Sequence, residues 1–145
     1  MLSDKLKRWL IANRAWEIYV LLQKLPELEN DLLSNLGDWV EDAAFTENLR
    51  LYALWPSLPK KLSILERYGF PKEQLHVDYY SYVFSETGDR VIIRADSAPH
   101  HERDHRRRLL AKFPHHLHDE QNRICSFSGK LDDFIKLIAP YFRRQ

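Results

Sequence analysis

The sequence predicts an α+β domain, an antiparallel β-sheet of about four to five strands with N-terminal helices and a C-terminal helix packed on it. Three observations lead there. Near both ends of the chain apolar residues recur at spacings of three and four, as on one face of a helix. Between residues 48 and 94, apolar, β-branched and aromatic residues fall into short runs bounded by Pro and Gly. Those runs are joined by short connections rather than crossover helices, which favours antiparallel pairing with the helices on one side.

The first helix is predicted over Ser3 to Lys24. Leu6, Trp9, Leu10, Trp16 and Val20 make its apolar face, Ser3 is its N-cap, and Pro26 ends the run. Trp9 and Trp16, seven apart on that face, read as core rather than as a ligand-stacking pair. Residues 27–47 carry seven acids and no Lys or Arg. Within them Leu28, Leu32, Leu33 and Leu36 predict a short helix stopped near Gly37, with a further turn through Trp39, Val40, Ala43 and Ala44. The acidic run reads as a solvated helix face. The competing readings are a surface for a basic partner and a shield for the basic segment of the same chain.

Strands follow. Asn48 to Leu54 alternates Leu49, Leu51 and Ala53 against polar neighbours, and Pro56 and Pro59 break it. Lys61 to Tyr68 has strand composition with an ambiguous period, closed by Gly69-Phe70-Pro71. His76 to Ser85 places Tyr80, Tyr82 and Phe84 on one face, and a turn at Glu86-Thr87-Gly88-Asp89 returns the chain through Val91 to Arg94 as a hairpin. A short strand is expected within Arg123 to Ser128. Leu131, Phe134, Ile135 and Ile138 then face one side of a final helix that opens at Gly129-Lys130 and runs to about Phe142, ended or bent by Pro140.

The 145 residues are expected to form a single domain, with a helical part over 1–46 and the sheet, histidine-rich loop and C-terminal helix over 47–145. A net charge of +1 gives no global reason for nucleic-acid binding, so any basic feature must be local. The one cysteine, Cys125, excludes an internal disulfide and reads as a small buried apolar residue. Charges interrupt the N-terminal apolar residues every few positions, which excludes a signal core or a membrane span there. The expected setting is the cytoplasm, without membrane association.

The chemistry concentrates in one segment. Six of the seven histidines fall between His100 and His118. Ala98-Pro99-His100-His101 and Phe113-Pro114-His115-His116-Leu117-His118 each place a histidine pair directly after a proline, which stiffens the chain entering the pair. Between them lie Arg103, His105, Arg106, Arg107, Arg108 and Lys112, a local basic stretch that attracts phosphate by charge. A solvated loop or helix face is its bland reading.

Three chemistries compete for this segment. In the first, histidines act as general base and acid in RNA cleavage, with Arg94 and the basic stretch stabilising phosphoryl charge and no metal needed. In the second they bind a divalent transition metal, with Asp96, His100, His116 and His118 as the ligand set. The spacing matches no standard zinc motif, and adjacent histidines point apart on a regular strand or helix, so at most one of each pair is expected to ligate. In the third the segment is structural or only binds phosphate. No Gly-rich phosphate loop is present, which argues against a nucleotide-triphosphate enzyme. Ser81 and Ser97 lack a nucleophile-elbow context, and Cys125 is not read as a nucleophile.

Tyr80-Ser81-Tyr82, then Arg94-Ala95-Asp96-Ser97-Ala98-Pro99-His100-His101, then Phe113-Pro114-His115-His116-Leu117-His118 resemble the TumE family of small bacterial and archaeal toxins, encoded beside a helix-turn-helix antitoxin. The resemblance covers about residues 48–145. The family pattern runs Tyr-Ser-Tyr, Arg-Trp-Asp-Asn-x-Pro-His-His and Pro-His-His-x-His. Here Ala95 replaces Trp, Ser97 replaces Asn, Leu117 stands where Lys is common, and the connection from Glu102 to Lys112 is longer and more basic. The resemblance implies a toxin, a cytoplasmic setting, an RNA target and an antitoxin partner.

The leading expectation is therefore a metal-free ribonuclease. His100 with His115 or His116 forms its acid–base pair, and Arg94 holds the phosphate. His101 and His118 support, Asp96 orients an imidazole, and Arg103, Arg106, Arg107, Arg108 and Lys112 bind the substrate. Tyr80 or Tyr82 stacks a base or donates a hydrogen bond, with a core role as the competing reading for each. The alternatives are a metal-dependent nuclease using the same residues and a non-enzymatic module that binds nucleic acid or protein. Self-association is left open.

Overall fold

Ser3 begins the first helix as expected. It is extended, and its hydroxyl accepts the Leu6 N–H at 3.1 Å, which caps α1 (Asp4–Leu22). The computed structural model describes residues 2–143 apart from 87 and 89. The buried stripe of α1 is Ile11, Ala15, Ile18 and Leu22. These recur at intervals of four, three and four and so share one face. The expected face was set by the large aromatic residues and lies beside the true one. Trp9, Trp16 and Val20 are 61%, 55% and 49% exposed, so the two tryptophans are not core.

The second helix, α2 (Leu32–Thr46), runs straight through Gly37, which corrects the expected stop there. Asp31 caps it by accepting the Ser34 N–H at 3.1 Å, and it ends at Glu47 in the left-handed region at φ 63°. A glycine inside a helix costs about 1 kcal/mol against alanine, and burial of Leu32 and Ala43 offsets this. Two acids of the run pair with α1, Glu47 with Lys7 at 2.9 Å and Glu41 with Arg8 at 3.0 Å. The internal partners of these two acids are thus the bases of α1.

Six strands form one antiparallel meander in chain order: β1 (Asn48–Trp55), β2 (Lys60–Gly69), β3 (His76–Glu86), β4 (Val91–Asp96), β5 (His116–His118) and β6 (Ile124–Ser126). The strand beyond the expected count is β5, three residues inside the second histidine motif. Two tip residues of the expected β3–β4 turn, 87 and 89, lie outside the described residues. Helix α3 (Leu131–Ile138) buries Leu131, Phe134, Ile135 and Ile138, and at Pro140 the chain tightens into a 3-10 turn (Ala139–Phe142).

Strand alternation sorts the sheet into two faces. One face carries Leu49, Leu51, Ala53, Leu62, Ile64, Tyr82, Phe84, Ile93 and Ala95, all buried in one cluster with the helices. Phe134 packs on Tyr82 with ring centroids 5.7 Å apart, and Phe142 meets both Trp55 and Phe84. Glu66 is the charged exception in this core. Arg14 of α1 reaches it with two hydrogen bonds of 2.8 and 2.6 Å, and the hydroxyls of Tyr68 and Tyr82 donate to its two oxygens at 2.8 and 2.6 Å. Burial, then the Glu66 charge, pushes both tyrosine hydroxyls up, so they stay protonated donors. The network ties α1 to β2 and β3. No described helix is long and apolar enough to cross a membrane.

Candidate functional site

The site lies on the other face of the sheet. In the β4–β5 pair Arg94 stands opposite His118 and Asp96 opposite His116. Cross-strand partners share a face, so these four side chains project together. His115, one residue before His116, must project the other way. It does, stacking on Tyr80 with centroids 5.6 Å apart and its Nδ1 3.1 Å from the Tyr80 hydroxyl. A Cβ on Gly129, whose φ is +86°, would lie 2.7 Å from the His115 ring, so this imidazole is seated against a position that only glycine suits.

Asp96 also starts the loop that completes the site. Its Oδ1 accepts the Ala98 N–H at 3.0 Å, and the Ser97 hydroxyl accepts the Tyr80 N–H at 3.1 Å. The chain turns over this face and presents His100 and His101. Because the pair sits on a turn and not on a regular strand, both rings face the same place, which corrects the expectation that only one would. Ring centroids are 4.1 Å apart for His100–His101, 5.0 Å for His100–His116 and His101–His116, 5.4 Å for His101–His118 and 5.1 Å for His116–His118. One ring nitrogen from each of the four lies within 4.8 Å of all the others.

Hydrogen bonds orient the inner pair. His116 is 0% exposed and its Nδ1 lies 3.0 Å from the Pro114 carbonyl. His118 is 4% exposed and its Nδ1 lies 3.2 Å from Asn122 Oδ1. Each of those oxygens accepts, so each Nδ1 carries a proton and each ring turns its Nε2 into the cluster. Both Nε2 atoms are buried without a hydrogen-bond partner. The His116 Nε2 is 3.2 Å from Asp96 Oδ1, but not aligned on it as a hydrogen bond. Burial, followed by the neighbouring His100 and His116, holds His101 below the usual imidazole value. Burial and the Arg94 charge do the same to His118, and burial and Lys112 to His115. His100 is exposed and forms the solvent side.

The remaining expected residues sort cleanly. Arg94 is half-buried beside His118. Arg103, Arg106, Arg107, Arg108 and Lys112 are all exposed on the loop after His101. Asp104 organises this loop by accepting the N–H groups of Arg106 and Arg108 at 2.8 and 2.9 Å, while Arg103 donates to the Arg107 carbonyl at 3.0 Å. His105 pairs with Ile124 of β6 and stands outside the cluster. Tyr80 and Tyr82 are buried on the helix-packed face and stack on each other at 4.6 Å, so their role is core, not base stacking. Cys125 is half-buried, not buried, and burial raises its thiol, which does not favour a nucleophile.

Two residues at the site were missed in the sequence. Asn122 orients His118, and nothing in its local context marks it. Tyr79 has its hydroxyl raised by burial and by Asp96, and its signal was available, since period two sets it on the face opposite Tyr80.

A family model described as Toxin TumE matches residues 43–142. No curated protein and no solved structure matches the chain. The matched span holds the whole sheet, all four clustered histidines and α3. The chain belongs to the TumE toxin family, which implies a toxin of a toxin–antitoxin system with an antitoxin as its partner.

Proposed function

We propose that this toxin cleaves RNA and that the four-histidine cluster is its reaction centre. One observation carries the reading: His100, His101, His116 and His118 converge beside Asp96 and Arg94, with His100 open to solvent. The exposed arginines of the following loop supply the charge that draws a polyanion. Cleavage needs a base to take the 2′-hydroxyl proton, an acid to protonate the leaving oxygen and a cation for the phosphoryl oxygens. Arg94 is placed for the last role. His100 and His101 reach outward and are the pair that can exchange protons with a substrate. His115 takes no part in this reading, because its ring lies on the opposite face against Tyr80. Action on RNA places the toxin in the cytoplasm, and a helix-turn-helix antitoxin is its proposed partner.

A second reading, metal-assisted cleavage at the same imidazoles, is favoured by the two buried Nε2 atoms that lack partners. Labelled single-stranded RNA, incubated with the protein with and without EDTA, separates the two. EDTA-resistant cleavage leaving 2′,3′-cyclic phosphate ends establishes the imidazole mechanism, and loss with EDTA establishes the metal. The His100→Ala variant is expected to lose at least about 100-fold in rate. Full activity in a folded His100→Ala protein would sink the assignment of the site.

A further inference from the structure

We infer that His100, His101, His116 and His118 are the ligands of one divalent transition-metal ion. The inference stands on side-chain geometry alone and does not rest on the RNA reading; with the ion bound, cleavage at this cluster would take the metal-assisted form, because ligated nitrogens cannot exchange protons with a substrate. Four ring nitrogens already lie within 4.8 Å of one another. A tetrahedral ion with metal–nitrogen bonds of about 2.0–2.1 Å holds its ligands about 3.4 Å apart, so modest side-chain rotation closes the set. The two inner imidazoles are oriented for this. A metal-bound histidine donates its other ring N–H to a carbonyl or similar oxygen, which fixes the tautomer. His116 does so to the Pro114 carbonyl and His118 to Asn122 Oδ1.

Their Nε2 atoms are buried and make no hydrogen bond, a costly arrangement that an ion accepting both lone pairs relieves. The Asp96 carboxylate, 3.2 Å from the His116 Nε2, adds negative charge beside the ion. Donor chemistry sets the class of metal. Four imidazoles suit zinc, copper, nickel or cobalt, whereas magnesium and calcium take oxygen ligands. Cys125 is turned toward His105 and Asp119 and stays outside the set. Two ligands come from the loop and two from β5, so the ion clasps the loop to the sheet.

The test uses the full chain without a histidine tag, stripped with chelator and titrated with Zn²⁺. We expect one Zn²⁺ per chain by calorimetry and native mass spectrometry, a melting temperature that rises with Zn²⁺ and not with Mg²⁺, and visible absorption on loading with Co²⁺. The double variant His100→Ala/His101→Ala changes the two outer positions, so its fold, checked by circular dichroism, is expected to survive while affinity falls by more than about 100-fold. Asn122→Gly keeps the left-handed φ of 59° available and removes only the acceptor for His118. It is expected to cost about 10–100-fold in affinity while the fold, checked by circular dichroism, survives. No stoichiometric uptake of Zn²⁺, Co²⁺, Ni²⁺ or Cu²⁺ by the folded wild type would overturn the site, and so would uptake undiminished in the double variant. One bound Zn²⁺ without RNA cleavage would leave this site standing and overturn the RNA reading. Cleavage by protein that takes up no metal would do the reverse.

Discussion

His116 and Asp96 face each other across β4 and β5, with the imidazole Nε2 3.2 Å from the carboxylate Oδ1. The same oxygen accepts the Ala98 N–H that starts the loop, so one carboxylate serves both the strand that holds His116 and the turn that delivers His100 and His101. Asp96→Ala removes both interactions. It is expected to lower RNA cleavage at least about tenfold and stability by about 1 kcal/mol. Asp96→Asn keeps an acceptor for Ala98 and is expected to recover the stability but not the rate. Urea unfolding beside cleavage rates per folded molecule reads both effects, and two variants with equal stability would contradict the turn role.

Much of the sheet was legible because alternation is direct. Leu49, Leu51 and Ala53 in β1, and Tyr82 and Phe84 in β3, recur with period two, and all are buried. β5 was not legible, because its three residues include two histidines buried on a face that the loop covers, where polarity no longer reports exposure. The face of α1 was misplaced because large aromatics outweighed Ile11, Ala15, Ile18 and Leu22, although the smaller residues keep the stricter spacing. The histidine segment was conspicuous by density. Its division into four converging rings, with His105 and His115 turned elsewhere, depends on a turn and a strand register that residue types do not display. Glu66 gave no warning, since a lone acid in a strand of ambiguous period reads as surface.

The lowered imidazoles set a pH dependence. In chelator-treated protein His101, His115 and His118 all titrate below their ordinary value, chiefly through burial. The unfolded chain then binds more protons than the folded one once the pH drops below about 6.5. Their stabilising contribution is complete above that pH and is lost as the pH falls through the lowered folded values. The melting temperature is expected to fall between pH 7.5 and pH 5.5, above the carboxylate range. A flat or rising profile over that interval would contradict the burial of these rings.

Glu66 offers a control away from the site. It is fully buried, and Arg14, Tyr68 and Tyr82 all donate to it. Glu66→Ala strands the guanidinium and two hydroxyls in the core and is expected to cost about 3–5 kcal/mol, the range for breaking one side of a buried pair. Chemical denaturation measures this directly. A loss below about 1 kcal/mol would mean that water reaches the network.

The basic loop is expected to act by neutralising phosphates. Replacing Arg106, Arg107 and Arg108 together with Gln should weaken binding to a non-cleavable RNA across sequences. The slope of log affinity against log salt should become shallower by about 0.7 for each phosphate that the loop no longer neutralises. Fluorescence anisotropy over a salt series checks it, and an unchanged slope would place the RNA elsewhere on the molecule.

The most direct test of the cluster as reaction centre compares three proteins on one labelled single-stranded RNA: wild type, His100→Ala/His101→Ala, and His115→Phe. The first and third are expected to cleave at comparable rates, since His115 lies on the other face of the sheet, while the double variant falls by at least about 100-fold. A folded double variant that cleaves like the wild type, or cleavage lost only with His115, would contradict the account.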